Sequence, residues 1–289
     1  MTQNMNEIIE RAKTLVEALP YISAFSGKTI VIKYGGNAMN DEGTVKTIMQ
    51  DVAALKIVGV KPILVHGGGP EINSMLSRVH IEPKFSGGLR VTDEKTMEIV
   101  QMVLAGKINK NVVSLLGTLG VKAVGLCGKD AGLIKVKKYC PGGADIGYVG
   151  EIVSINDKLL DALTTDYIPV ISSIGADEAG VSYNVNADTA AGAIGGAVGA
   201  EKLIFLTDID GIRRKESDPS TLISRISVKE IEDMISSGAI GGGMIPKVRG
   251  CIDAIRHGIK SVQIVNGTIP HSILLELFTD SGVGTMVTE

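Results

Sequence analysis

The chain reads as an α/β protein: a mostly parallel sheet covered by helices on both faces, preceded by one extra helix. Three observations predict this. Short apolar runs rich in β-branched residues recur along the chain, among them Thr29-Ile-Val-Ile-Lys33, Pro62-Ile-Leu-Val65 and Ile168-Pro-Val-Ile171, and each has the length of a buried strand. Stretches with apolar residues at helical spacing lie between them. The 36 glycines are scattered at element ends, which suits many tight strand–helix junctions. Strands that alternate with helices pair in parallel and bury both faces.

Composition narrows the class. At 289 residues the chain has room for one large domain or two lobes. Apolar residues make up 44 % but aromatics only 3 %, so the core is sizeable and aliphatic. A net charge of −3 offers no global attraction to nucleic acid or an anionic membrane. Cys127, Cys140 and Cys251 are odd in number and far apart, without a C-x-x-C pair. They read as reduced structural thiols, so neither a disulfide frame nor a protein-bound metal is expected. No apolar run approaches the roughly 18 residues of a membrane span. The N-terminus lacks the basic start and apolar block of a secretory signal. A cytoplasmic location is the expectation.

In order, residues 1–20 carry Ile8, Ala12, Leu15, Val16 and Leu19 on one helical face, and Pro20 stops the pattern. The first strand runs from Thr29 to Lys33. A helical stripe follows from Val45 to Leu55, then the second strand to Gly67 and a helix from Glu71 to about Val79. Residues 81–92 suggest a hairpin-like excursion carrying Arg90, and helical pattern returns from Glu94 to about Leu119. Ala123 to Leu126 is a short strand, residues 133–155 read as β-ribbon, and Ile168 to Ile171 is another core strand. Ala187 to Val198 reads as a helix of small residues, and Leu203 to Leu206 as a strand ending in Thr207-Asp208. Val228 to Ser236 and about Ile245 to His257 are helical, and Val262 to Val265 closes the apolar strands.

Several chemistries are excluded. Gly27-Lys28-Thr29 would need a glycine at Ile22 to be a P-loop, and it precedes a strand instead of following one. No G-x-G-x-x-G occurs. His66-Gly67-Gly68-Gly69 is reminiscent of an esterase oxyanion loop, but no G-x-S-x-G elbow accompanies it; Ser173 has Ile171 where glycine is required.

What remains is a set of glycine-rich strand ends with lysines. Lys33 sits where the first strand stops, at the edge where open α/β sheets bind ligands. Gly67 to Gly69 open onto a helix, so backbone amides and the helix dipole face one anion. Gly241-Gly242-Gly243 precedes Met-Ile-Pro246-Lys247 in the same way, and Pro246 fits a first helical turn. Two anion-binding turns with two lysines suit a transferring phosphoryl group, which needs positioning and charge stabilisation more than covalent help. Asn184, Asn186 and Asp188 alternate, so an extended segment would point all three one way, although Asn186 or Asp188 could equally cap the helix near Ala187.

Together, Ile-Lys33-Tyr-Gly35-Gly36, Val-His66-Gly-Gly-Gly-Pro, Gly88-Leu-Arg90-Val-Thr, Asn184-Val-Asn-Ala-Asp188, Leu206-Thr-Asp208-Ile-Asp-Gly211 and Gly243-Met-Ile-Pro-Lys247 resemble the acetylglutamate kinases of arginine biosynthesis, within the amino-acid kinase superfamily. The resemblance covers nearly all of residues 27–289, in order. It implies a three-layer αβα sandwich with two lobes, residues 21–180 holding N-acetyl-L-glutamate and 181–289 holding ATP with Mg2+, the metal carried by the phosphates. Carried over, Gly68, Gly69, Arg90 and Asn184 bind the acid. Lys33 and Lys247 stabilise the transition state, and Asp188 orients both. Gly35, Gly36, Thr207, Asp208, Gly211 and Gly243 belong to the nucleotide site. The narrow motifs argue against carbamate, aspartate, glutamate 5- and UMP kinases. Retention of Lys33, Asp188 and Lys247 argues against a catalytically silent amino-acid sensor.

Control is part of the same resemblance. Arginine-sensitive members carry an added N-terminal helix that interlaces dimers into a hexamer, a trimer of dimers, and bind L-arginine beside it. By that likeness residues 1–20 are an interface helix, and Tyr21, Lys202, His271 and Glu276 line the effector site. Some members also dock a nitrogen-signalling PII protein.

Overall fold

A computed structural model describes residues 5–36, 41–215, 217–280 and 282–289. The strands are β1 (Thr29–Tyr34), β2 (Lys61–His66), β3 (Lys84–Ser86), β4 (Leu89–Val91), β5 (Ala123–Cys127), β6 (Ile134–Lys138), β7 (Gly150–Ile155), β8 (Ile168–Ser172), β9 (Ile174–Ala176), β10 (Ser182–Asn184), β11 (Lys202–Thr207), β12 (Arg225–Ser227), β13 (Val262–Asn266) and β14 (Thr285–Thr288). The helices are α1 (Met5–Phe25), α2 (Glu42–Ile57), α3 (Gly69–Arg78), α4 (Glu94–Gln101), α5 (Asn109–Thr118), α6 (Asp157–Thr164), α7 (Ala187–Ala197), α8 (Val228–Ser236), α9 (Met244–Arg256) and α10 (Ser272–Phe278).

Among the described residues eight strands form the central sheet in the order β12-β14-β13-β11-β1-β2-β8-β5, and of its pairs only β13 with β14 is antiparallel. Alternation along β1 splits its side chains between two cores. Ile30, Ile32 and Tyr34 pack with α2 residues Ile48, Met49, Val52 and Leu55 on one face. Val31 packs with Ala190 and Ile194 of α7 and with Val248 and Ile252 of α9 on the other. The period of two along a strand therefore produces the three layers. The strands β1, β2, β8 and β5, all from before residue 180, make one half of the sheet, and those from after it make the other. The halves meet where β1 pairs with β11, with Lys33 opposite Phe205. A small sheet, β10-β9-β6-β7, and the hairpin β3-β4 stand beside the first half.

The structure departs from the sequence reading in several places. Helix α1 runs through Pro20 to Phe25. Proline costs one backbone bond, but Tyr21, Ile22 and Phe25 beyond it are half-buried and hold the last turn by tertiary contact. The stretch expected as one helix from Glu94 is interrupted by a π-helical segment, Met102–Ile108. A Cβ on Gly68 would lie 2.3 Å from Ile108 Cδ1 and 2.7 Å from Leu104 Cδ2, so this wider turn packs against a backbone that only glycine can present. The structure adds helices α6 and α10, which the sequence reading does not include. Helix α10 has no side-chain cap of its own; His271, with φ +58°, leads into it and bonds through Nδ1 to the buried Asp51 of α2 at 2.7 Å.

The three cysteines are free. Among the described residues no helix is long and apolar enough to cross a membrane.

Candidate active site

The site lies at the carboxyl ends of β1, β2 and β11, where the two halves of the sheet join. Lys33, next to the end of β1, places Nζ 2.9 Å from Asp188 Oδ1, with 15 % of its side chain exposed. Asp188 is set by its helix: Asn186 is the N-cap of α7, and its Oδ1 accepts from the Asp188 and Thr189 amides at 2.9 and 3.0 Å. Asn186 is therefore a cap, and only Asn184 of the three alternating residues lies in a strand. Lys247, in the first turn of α9, does not pair with Asp188. Its Nζ lies 3.3 Å from Asp208 Oδ1, so each lysine has its own carboxylate where the sequence suggested a shared one. Asp208 follows β11, which lies beside β1 and within reach of α9, a proximity that sequence separation conceals.

Two cavities of about 290 Å3 each meet here and share Lys33, Gly35, Gly36 and Asp188. The first is lined by Gly67, Gly68, Gly69, Arg90 and Asn184, together with Phe85, Leu104 and Ser173. A Cβ on Gly69 would meet nothing within 4 Å, so the turn at the start of α3 has open space on that side. Arg90 is 8 % exposed, and burial lowers its pKa from the ordinary guanidinium value, a cost that a bound carboxylate would offset. Its Nη2 donates to Asn73 Oδ1 at 2.7 Å, and the group lies 4.8 Å from the Phe85 ring centroid. Asn184 Nδ2 donates to Thr92 Oγ1 at 3.3 Å, and that buried hydroxyl donates to Arg90 O at 2.9 Å. His66 is fully buried beneath the turn. Its Nε2 faces the Asn109 amide at 3.2 Å and its Nδ1 faces Gly67 O at 2.9 Å, which assigns the proton to Nδ1. Burial lowers its pKa to about 4, so the ring is neutral and structural.

The second cavity is lined by Thr207, Asp208, Lys247, Phe205 and Ile264. Thr207 Oγ1 braces the loop after β11 by accepting from Ile209 N at 3.2 Å and donating to Ile209 O at 3.0 Å. Gly211 and Gly243 do not line it. Gly211 has φ +146°, and a Cβ there would lie 2.3 Å from Thr285 Oγ1, so its glycine serves chain packing. Gly243 is the N-cap of α9. Two ammonium groups and a glycine turn suit phosphate oxygens. Among the described residues no three acidic, histidine or cysteine side chains gather in one place. A larger groove of about 700 Å3 between β7 and helices α7 and α9 reaches the site at Asn186 and Asp188.

At the N-terminal end of the chain, Tyr21 donates to Asp280. Lys202 is half-buried, 5.6 Å from the Phe25 ring centroid and 3.3 Å from Ser261 Oγ. Burial pushes its pKa down, and Glu276 opposes that shift. Glu276 Oε2 accepts from Val283 N and Gly284 N at 2.9 and 3.0 Å, so it braces the loop before β14. His271 is committed to Asp51.

Sequence reasoning missed Asn73, Phe85 and Thr92 as neighbours of Arg90 and Asn184. A signal existed for Asn73, which falls one helical turn after Gly69 and so on the same face of α3.

Comparison with known proteins identifies the family. The model of the amino acid kinase family matches residues 28–266. An acetylglutamate kinase from Caldicellulosiruptor saccharolyticus is 53 % identical over 99 % of both chains. One from Thermoanaerobacter pseudethanolicus is 54 % identical over 99 % of this chain and 95 % of its own. Among solved structures, an N-acetylglutamate synthase from Neisseria gonorrhoeae complexed with coenzyme A and N-acetyl-glutamate superposes with a TM-score of 0.84 at 26 % identity, over 96 % of this chain. This chain spans 63 % of that longer one. A carbamate kinase from Giardia lamblia bound to AMP-PNP shares the fold, with a TM-score of 0.66 at 18 % identity over 91 % of this chain and 99 % of its own. On the family match over residues 28–266 and these relatives, the chain belongs to the amino acid kinase family, among its acetylglutamate kinases.

Proposed function

We propose that this site transfers the γ-phosphoryl group of ATP to the γ-carboxylate of N-acetyl-L-glutamate, giving N-acetyl-L-glutamyl 5-phosphate and ADP. The observation that carries the reading is the junction of two cavities at Lys33 and Asp188, with Lys247 on the far wall. In the first cavity the acid's α-carboxylate pairs with Arg90, Asn184 takes its acetamido end, and the Gly68 and Gly69 amides hold the reacting end. In the second, Gly35, Gly36, Thr207 and Asp208 surround the nucleotide, with Gly211 and Gly243 shaping the loops around it. A carboxylate oxygen attacks the γ-phosphorus while the bond to the β–γ bridging oxygen breaks. The carboxylate is already ionised at neutral pH, so no general base is needed. Lys33 and Lys247 neutralise charge on the phosphoryl oxygens as it redistributes. Mg2+, carried by the phosphates, supplies further neutralisation when bound. A coupled ADP-release assay offering N-acetylglutamate, glutamate and aspartate separately tests the reading. Turnover of N-acetylglutamate far above the other two is expected, and equal rates with glutamate would refute it.

The proposal extends to control in the cytoplasm. Residues 1–20, of which 1–4 lie outside the described residues and 5–20 belong to α1, are the interface segment, residues 21–180 the acid lobe and 181–289 the nucleotide lobe. Helix α1 buries none of its residues, and Met5, Ile8, Leu15, Val16 and Leu19 are exposed along it. Such a stripe supports a role in joining dimers into a hexamer. Tyr21, Lys202, His271 and Glu276 would line a site at which L-arginine inhibits. Deleting residues 1–20 should leave an active dimer with weak arginine inhibition, read by sedimentation and an arginine titration. A truncated hexamer with its full response would sink this part.

A further inference from the structure

We propose that Asn73 is a positioning residue for the acid, holding one arm of the Arg90 guanidinium so that the other arm meets the bound carboxylate. The proposal rests on the reading of Arg90 as the carboxylate's partner. Arg90 uses Nη2 within the protein, donating to Asn73 Oδ1 at 2.7 Å and to Gly69 O at 3.4 Å. Its register partner across the hairpin, Phe85, supports the guanidinium 4.8 Å from the ring centroid. Nη1 is buried and makes no hydrogen bond to the described residues. An unsatisfied buried donor on a charged group is costly, and Arg90 lines the first cavity. A carboxylate oxygen accepting from Nη1 would satisfy it.

Arginine's long side chain loses much rotamer freedom when ordered, and a fork fixed beforehand spends less of its binding energy on ordering. Asn73 supplies that fixing. It stands four residues after Gly69 on α3, so one rigid helix carries both the glycine turn and the acceptor that aims Arg90. Asn73 does not line the cavity itself. Its effect therefore passes through Arg90, and only an acceptor is required of it.

The test is steady-state kinetics on Asn73→Leu, which keeps the size and removes the acceptor, and Asn73→Asp, which keeps an acceptor. Arg90→Ala and the Asn73→Leu, Arg90→Ala double variant are measured alongside. Asn73→Leu should raise KM for N-acetylglutamate about tenfold, the size of one hydrogen bond to a charged group. KM for ATP and kcat should change little, Asn73→Asp should restore most of the loss, and Asn73→Leu should add nothing in the Arg90→Ala background. A wild-type KM in Asn73→Leu while Arg90→Ala raises it would overturn the role of Asn73 and leave the reading of Arg90 standing. A rise that Asp fails to reverse, or an equal loss in the ATP parameters, would also overturn it. No change in either single variant would instead remove Arg90 from the acid site.

Discussion

At the acid end of the site Arg90 is 8 % exposed, bonded to Asn73 and stacked on Phe85. At the phosphate end Lys247 reaches Asp208 across 3.3 Å with a third of its side chain in solvent. The groups at the acid end are held by neighbours that take no part in the reaction. At the phosphate end Lys33 pairs with Asp188 and Lys247 with Asp208, and the second, partly exposed ion pair contributes little and exchanges readily for a better anion. The contrast matches what each end must do. The α-carboxylate keeps its charge throughout, so its partner can be rigid. Charge on the phosphoryl group redistributes, so the lysines can gain most in the transition state.

The largest effect expected is on turnover. Lys33→Ala should lower kcat by about 10^2–10^3, as loss of one transition-state donor does, with a much smaller change in KM for the acid. A large rise in that KM with kcat intact would erase the distinction between the ends.

The acid end should also be sensitive to pH through His66, whose pKa burial lowers from 6.5 to about 4. The unfolded chain takes up a proton below about 6.5, and the folded one resists until about 4. His66 therefore makes folding stability fall as pH drops through that window and leaves it unaffected above it. The sum is about 3 kcal/mol. Urea melts between pH 7 and 4 should show this slope, and His66→Gln should flatten it.

Gly68→Ala should cost about 1–3 kcal/mol through overpacking, since the new methyl would meet Ile108 and Leu104 at 2.3 and 2.7 Å. A lower thermal midpoint with a raised KM for the acid is expected. An unchanged midpoint would mean that the π-helical segment yields. Smallest of all, Asp208→Asn should move stability by less than about 1 kcal/mol, as for other exposed pairs. A stability loss well beyond that would show the phosphate end to be as firmly built as the acid end.

Much of this was legible in the sequence because its signals are local. A strand running into Lys33, a glycine turn opening α3, and proline in the first turn of α9 are each read within a few residues. The alternatives at Asn186 and Asp188 were resolved only by the fold, which makes Asn186 the cap and leaves Asp188 facing Lys33. What was hidden depends on distant partners. Asp208 lies 39 residues from the lysine it pairs with, and Asp51 lies 220 residues from the His271 that leads into α10. Pro20 looks like a stop because nothing local announces that Tyr21 will find Asp280 or that Phe25 will pack beyond it.

The division between a rigid acid end and an exchangeable phosphate end is tested most directly by measuring Arg90→Ala and Lys247→Ala side by side with N-acetylglutamate as the varied substrate. Arg90→Ala should raise KM about tenfold to a hundredfold and leave kcat within a few-fold, as for lost hydrogen bonds to a charged group. Lys247→Ala should instead lower kcat by about 10^2 or more with KM nearly unchanged. The same pattern in both variants would contradict the division.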